Sequence, residues 1–235
     1  MKVWMAAALA GVGALCGFGT PVPAGENPVL VELYTSQGCS SCPPADELLT
    51  RLAGRDDVIA LALHVDYWDY IGWKDIFGQK AHTARQKGYV RAAQGRTIYT
   101  PQLIVGGQDH VVGYRPMEVA DLLMAHKARP DAVHLALHRE NGKVVITAEM
   151  ASAEPGEMWV QVAVFIPRET VHIERGENAG KTVVYSNIVR SLDKVGDWDG
   201  TAPLSIAVDA PADAPLAVII QRADYGPVLA AARLN

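Results

Sequence analysis

Tyr34-Thr35-Ser36-Gln37-Gly38-Cys39-Ser40-Ser41-Cys42-Pro43-Pro44 decides how the rest of the chain is read. Before it stands Val29-Leu30-Val31-Glu32-Leu33, an apolar, β-rich run of the length of a buried strand. After it, Leu48, Leu49 and Leu52 recur at helical spacing, and Pro43 and Pro44 fall in the first turn, where a missing N–H costs little. The order is strand, Cys-x-x-Cys, helix. Cys39 therefore sits at a helix start, where free N–H groups and the positive end of the dipole favour a thiolate. Cys42 lies about one turn further on, within reach of a disulfide. These are the minimum parts for thiol–disulfide exchange, with Cys39 as nucleophile and Cys42 as resolving thiol. A bridge across a two-residue gap removes little chain entropy, which argues against a purely structural staple.

Working outward, Val58 to Val65 is a second continuous apolar run, as in a strand buried on both faces. With no hairpin turn between the two runs, a right-handed parallel crossover is expected. That crossover brings His64 and Asp66 to the sheet edge that carries the cysteines. Asp66, Asp69 and Asp75 alternate with Tyr67, Trp68, Tyr70 and Trp73, and this reads as a rigid loop whose aromatics shield the cysteines or grip a substrate. Residues 76–94 read as one or two helices, with Arg85, Lys87, Arg91 and Arg96 as a solvated face or as groups that tune the cysteines. Two short runs about Gly106-Gly107 form a hairpin, with Pro101 just ahead of the first. Pro116 to Lys127 reads as a helix with Val119, Leu122, Leu123 and His126 on one side.

The N-terminus reads as an address. Lys2 is followed by a small and apolar stretch to Gly19, and Val22-Pro23-Ala24 suits cleavage before Gly25. The expectation is a signal peptide over residues 1–24 and a periplasmic or secreted product. Leu15 stands next to Cys16 instead of three residues before it, which argues against a lipid anchor there. Cleavage leaves two cysteines, Cys39 and Cys42. The net charge of −5 and the lack of a basic run exclude nucleic acid as an expected partner. Gly176 to Thr182 is one residue short of a phosphate loop and precedes a β-like run, so no nucleotide is expected. That segment reads instead as a hairpin loop, with packing against the cysteine-bearing unit as one option.

The Cys-x-x-Cys followed by Thr100-Pro101 and a hairpin resembles the thioredoxin superfamily over residues 29–128. The resemblance implies a cis peptide at Pro101, packed against the cysteines, and peptide substrates held by strand-like pairing at Thr100. The words His-Val-Asp-Tyr-Trp-Asp (64–69), Gly-Trp-Lys-Asp (72–75), Tyr-Thr-Pro-Gln (99–102) and Arg-Gly-Glu-Asn-Ala-Gly (175–180) also resemble a family of secreted bacterial proteins of unknown function. Ser40-Ser41 replaces thioredoxin's usual Gly-Pro, so no redox potential carries over. Thioredoxin's buried acid has no clear match, with Asp66 or Glu32 as stand-ins.

Beyond the linker at Lys127 to Pro130, short alternating runs recur between Gly, Asp and Pro, and Asn141-Gly142 marks a hairpin turn. The expected architecture is an α/β thioredoxin-like domain (25–128) followed by an all-β sandwich-like domain (131–235). The expected function is thiol–disulfide exchange on protein or peptide partners through Cys39 and Cys42, with no cofactor beyond the redox-active disulfide and with a membrane protein as an electron partner. Thr100, Pro101, Tyr67 and Trp68 are the candidate substrate contacts, and His64 and Asp66 the candidate tuning groups. Two alternatives stay open. One is a copper or zinc carrier using Cys39, Cys42 and His64. The other is a binding module without turnover.

Overall fold

The computed structural model describes residues 27–211 and 213–234; the expected signal peptide and Cys16 lie outside them. Strand β1 (Val29–Thr35) leads into helix α1 (Pro43–Ala53), which returns to β2 (Val58–His64). β1 and β2 pair in parallel with Thr35 opposite His64. After a short 3-10 turn at Asp69–Ile71 come helix α2 (Lys80–Ala92), the hairpin β3 (Gln102–Val105) and β4 (Asp109–Val112), and helix α3 (Pro116–Lys127). β3 runs antiparallel to the other side of β1.

The period of two in β1 and β2 sorts their side chains onto two faces. Val31, Leu33, Ala60 and Ala62 pack with Leu48, Leu49 and Leu52 of α1 and with Val119 and Leu123 of α3. Leu30, Tyr34, Leu61 and Leu63 face the other way and pack with Tyr89 of α2. Both faces are covered, which is why these strands read as unbroken apolar runs.

The expected pairing of an α/β thioredoxin-like domain with a separate all-β sandwich does not form. The remaining strands are β5 (Val133–Glu140), β6 (Lys143–Met150), β7 (Met158–His172), β8 (Thr182–Trp198), β9 (Leu204–Asp209), β10 (Leu216–Arg222) and β11 (Val228–Leu234). Four of them extend the first sheet, giving one mixed eight-stranded sheet in the order β11-β10-β7-β8-β2-β1-β3-β4. β5, β6 and β9 form a three-stranded sheet of their own. It lays Val133, Val144 and Ile146 over Val160, Val162, Val218 and Ile220. The protein is mostly β.

The join is the free edge of β2. β8 meets it in parallel at Ala62 and Ile188. Asn187, with φ of 49°, turns its side chain to donate to the Ala60 carbonyl at 2.8 Å. The sequence showed short strands where the structure has two long ones, because two register shifts in the β7–β8 ladder let the ribbon bend and continue.

A second fastening lies on the α2 face. Arg85, read from the sequence as solvated, is 7% exposed and donates from Nε to Glu32 Oε1 at 2.7 Å. It also donates to Gln161 of β7 at 2.8 Å and to Gln221 of β10 at 3.2 Å. Tyr89 donates its hydroxyl to Glu32 at 2.5 Å. A buried ion pair contributes little net stability, but loss of one partner strands the other charge. This network binds the N-terminal strands to the C-terminal ones and holds them in one register.

Candidate functional site at the disulfide

Cys39 and Cys42 form a disulfide at the start of α1, with Cys42 as its N-cap and Pro43 in the first turn. Cys42 is wholly buried and Cys39 keeps 4% of its surface, with the exposed Ser40 and Ser41 between them. Ser41 Oγ lies 3.5 Å from Cys39 Sγ.

Beyond its own local bonds, the preceding loop is held by contacts distant in sequence. The Gln37 N–H donates to Asp75 Oδ2 at 2.8 Å, and Trp73 Nε1 donates to Gln37 Oε1 at 2.7 Å. A Cβ on Gly38 would stand 3.1 Å from Trp68 Cβ, so the aromatic loop lies directly on this turn and only a glycine lets it come so near. From the far end of the chain, Asn178 donates both amide hydrogens to the loop, at 2.9 Å to Gln37 O and 2.8 Å to Cys39 O.

The candidate substrate contacts divide, with Trp68 and Thr100 joined to each other and Tyr67 held elsewhere. The Thr100–Pro101 peptide is cis. Trp68 Nε1 donates to Thr100 Oγ1 at 2.7 Å, which ties that loop to the residue resting on Gly38. Tyr70, 79% exposed, stacks on Trp68 with the ring planes 21° apart. Tyr67 donates its hydroxyl to Gln86 Oε1 of α2 at 3.3 Å.

The candidate tuning groups divide. Asp66 accepts from Thr83 Oγ1 at 2.7 Å and fastens α2. Glu32 is on the opposite face of the sheet, paired with Arg85. Neither is the acid of this site. His64 is wholly buried, and its Nδ1–H donates to Asp75 Oδ2 at 2.7 Å. Burial opposes the Asp75 charge, but His64 and the N–H groups of Gln37 and Phe77 outweigh it and hold the carboxyl below its usual range. Tyr185 of β8 stands edge-on to His64, with ring centroids 4.8 Å apart. Among the described residues, no group of three or more His, Cys, Asp or Glu is arranged to hold a metal ion.

Asp46 is the residue that sequence reasoning missed. It sits one turn beyond Cys42 on the inner face of α1, 3% exposed, and neither carboxyl oxygen has a hydrogen-bond partner. Thr35 Oγ1 and His64 Nε2 are also buried without partners. Burial pushes the Asp46 carboxyl up to about 7, with His64 and then the neighbouring Thr35 hydroxyl pulling against it. The neighbouring Glu47 is exposed and pairs with Arg51. In sequence the two acids look alike at a helix start, and only the phase with Ala45, Leu48, Leu49 and Leu52 hints that Asp46 turns inward.

The fold and site define a mixed-sheet protein whose Cys-x-x-Cys disulfide loop is held by segments far apart in the chain. Residues 30–221 match the family described as "Protein of unknown function (DUF1223)", and the chain belongs to that family. Protein AGR_C_4864 from Agrobacterium tumefaciens is similar, with 35% identity, 88% of this chain and 93% of that one covered, and a TM-score of 0.75. HBP35 of Porphyromonas gingivalis has 15% identity, a TM-score of 0.58 and coverage of 89% and 75%, a likeness of fold alone. No curated protein matches the chain.

Proposed function

We propose that this protein is a thiol–disulfide oxidoreductase acting on protein or peptide thiols outside the cytoplasm. The observation that carries the reading is the Cys39–Cys42 disulfide at the N-terminus of α1, with Trp68 resting on Gly38 beside it and bonded to Thr100. In the reducing direction, the Cys39 thiolate attacks a substrate disulfide and expels one substrate thiolate. Cys42 then loses its proton and attacks Cys39 Sγ in the mixed disulfide, releasing the second substrate thiol and closing the Cys39–Cys42 bond. Two electrons pass to the substrate, and a redox partner must return them. The reverse sequence oxidises a dithiol. Cys39 takes the first role because it alone keeps a sliver of surface, whereas Cys42 is sealed.

The resemblance to the thioredoxin superfamily in Cys-x-x-Cys and Thr100-Pro101 supports this chemistry, as does the aromatic ledge of Trp68 and Tyr70, which offers an extended peptide a stacking surface beside Cys39. The small and apolar stretch from Val3 to Gly19, with Val22-Pro23-Ala24 suited to cleavage, supports export to the periplasm or beyond. The test is equilibration with glutathione, followed by turnover of a disulfide-bonded peptide. Wild-type protein is expected to exchange, and Cys39→Ala and Cys42→Ala to lose catalytic turnover. Full exchange by either variant, or a bridge that glutathione never opens, refutes the reading.

A further inference from the structure

The β7–β8 hairpin reaches across the molecule to the disulfide loop, and its tip is built to do so. Ile173 N–H donates to Lys181 O at 2.9 Å and Gly180 N–H to Ile173 O at 2.7 Å, closing the loop on itself. Gly176, with φ of 78°, brings its backbone against Trp73, where an added Cβ would stand 3.2 Å from Trp73 Cβ. Ile173 is wholly buried and packs with Phe77 and Tyr185. The tip is therefore seated before any reaction begins.

From it Asn178, 1% exposed, uses both amide hydrogens on the carbonyls of Gln37 and Cys39, and its Oδ1 accepts from Lys181 Nζ at 2.8 Å. The Cys39 carbonyl also accepts from Cys42 N–H at 3.2 Å, so both of its lone pairs are engaged. Any drift of Cys39 must break the Asn178 bond. A carboxylate here would repel both carbonyls, whereas a primary amide has the two donors that the pair of carbonyls requires. From the exposed side of the tip the Lys181 ammonium holds the amide oxygen, so the two N–H groups stay turned toward the Gln37 and Cys39 carbonyls.

We infer that Asn178 is a positioning residue for Cys39: it holds the nucleophile's backbone in place, its amide kept in line by Lys181. This rests on the thiol–disulfide reading above. Opening of the disulfide creates a thiolate at Cys39, and the aligned amide and ammonium favour that charge where a bare hairpin would not.

The experiment uses the reduced full chain and measures the pH dependence of Cys39 alkylation by iodoacetamide in a Cys42→Ala background. The same substitutions with both cysteines present are then assayed for exchange with glutathione disulfide. Asn178→Ala is expected to raise the pH midpoint of alkylation and to slow exchange at least about tenfold. Lys181→Met, which leaves both donor bonds intact, is expected to raise the midpoint by less, and Lys181→Arg to restore it. A wild-type midpoint and rate in Asn178→Ala overturn the inference, as does a variant that loses only thermal stability. Should Asn178→Ala not fold, Lys181→Met decides alone, and an unchanged midpoint there overturns the charge argument. Should wild-type protein not exchange, the functional reading fails while the alkylation midpoint still judges the clamp.

Discussion

Replacing Asp46 by asparagine removes a charge that the fold has enclosed without a hydrogen-bond partner. The carboxyl has an ordinary value of 3.8 and is pushed up to about 7 in the folded chain, first by burial. A raised acid binds its proton more tightly in the native state than in the unfolded one. Its stabilising effect is complete below the unfolded value and is lost as pH rises toward the folded one. At about 1.36 kcal/mol per unit, the difference of roughly three units amounts to about 4 kcal/mol lost between pH 4 and pH 8. Asparagine is nearly isosteric and neutral throughout. Its amide can also pair with the buried hydroxyl of Thr35, which neighbours Asp46. Asp46→Asn is therefore expected to match wild type within about 1 kcal/mol near pH 4 and to exceed it by up to about 4 kcal/mol at pH 8. Urea unfolding of both oxidised proteins at pH 4, 6 and 8 measures the difference directly, and titration of groups that do not interact with Asp46 cancels in the comparison. A difference that does not change with pH, or a uniform loss, refutes the reasoning.

Three further outcomes are expected. Asp75→Ala leaves His64 without its partner and the Gln37 N–H without an acceptor, and should cost about 3–5 kcal/mol in urea unfolding; a loss under 1 kcal/mol would show that this pair does not organise the loop. Trp68→Phe keeps the ring on Gly38 but removes the bond to Thr100, so a stability loss of about 1 kcal/mol should accompany slower peptide turnover with unchanged glutathione equilibrium; an altered equilibrium would contradict a substrate-side role. A fragment ending at Lys127 exposes the edge of β2 and the Arg85–Glu32 pair, so circular dichroism should show no cooperative unfolding, and a sharp transition would overturn the claim that the strands depend on one another.

Much of the local structure was legible. The run from Val29 through Pro44 announced a strand, a cysteine pair and a helix, and β1, the disulfide and α1 stand there. Gly106-Gly107 and Asn141-Gly142 announced hairpins, and both sites have positive φ as such turns need. These signals are short-range: period, turn chemistry and helix-start residues act within a few positions of one another. Arg85 shows the limit. Its neighbours Lys87 and Arg91 point to solvent, and nothing within a turn of it reveals that Glu32, Gln161 and Gln221 converge on it from three strands.

The sequence by itself determined the cysteine pair at residues 39 and 42, close enough to bridge, and the elements on either side of it, because those depend on local preferences. Only the tertiary structure decided that β8 would close on β2, that Asn178 would stand over Cys39 and that Asp46 would face inward beside His64. Asn178 and Cys39 are 139 residues apart. Strand edges pair by shape and by unsatisfied backbone groups, which carry no mark of their partner in the sequence. A polar side chain is likewise enclosed or solvated according to what packs over its helix face, and for Asp46 that cover came from β8, some 140 positions later in the chain.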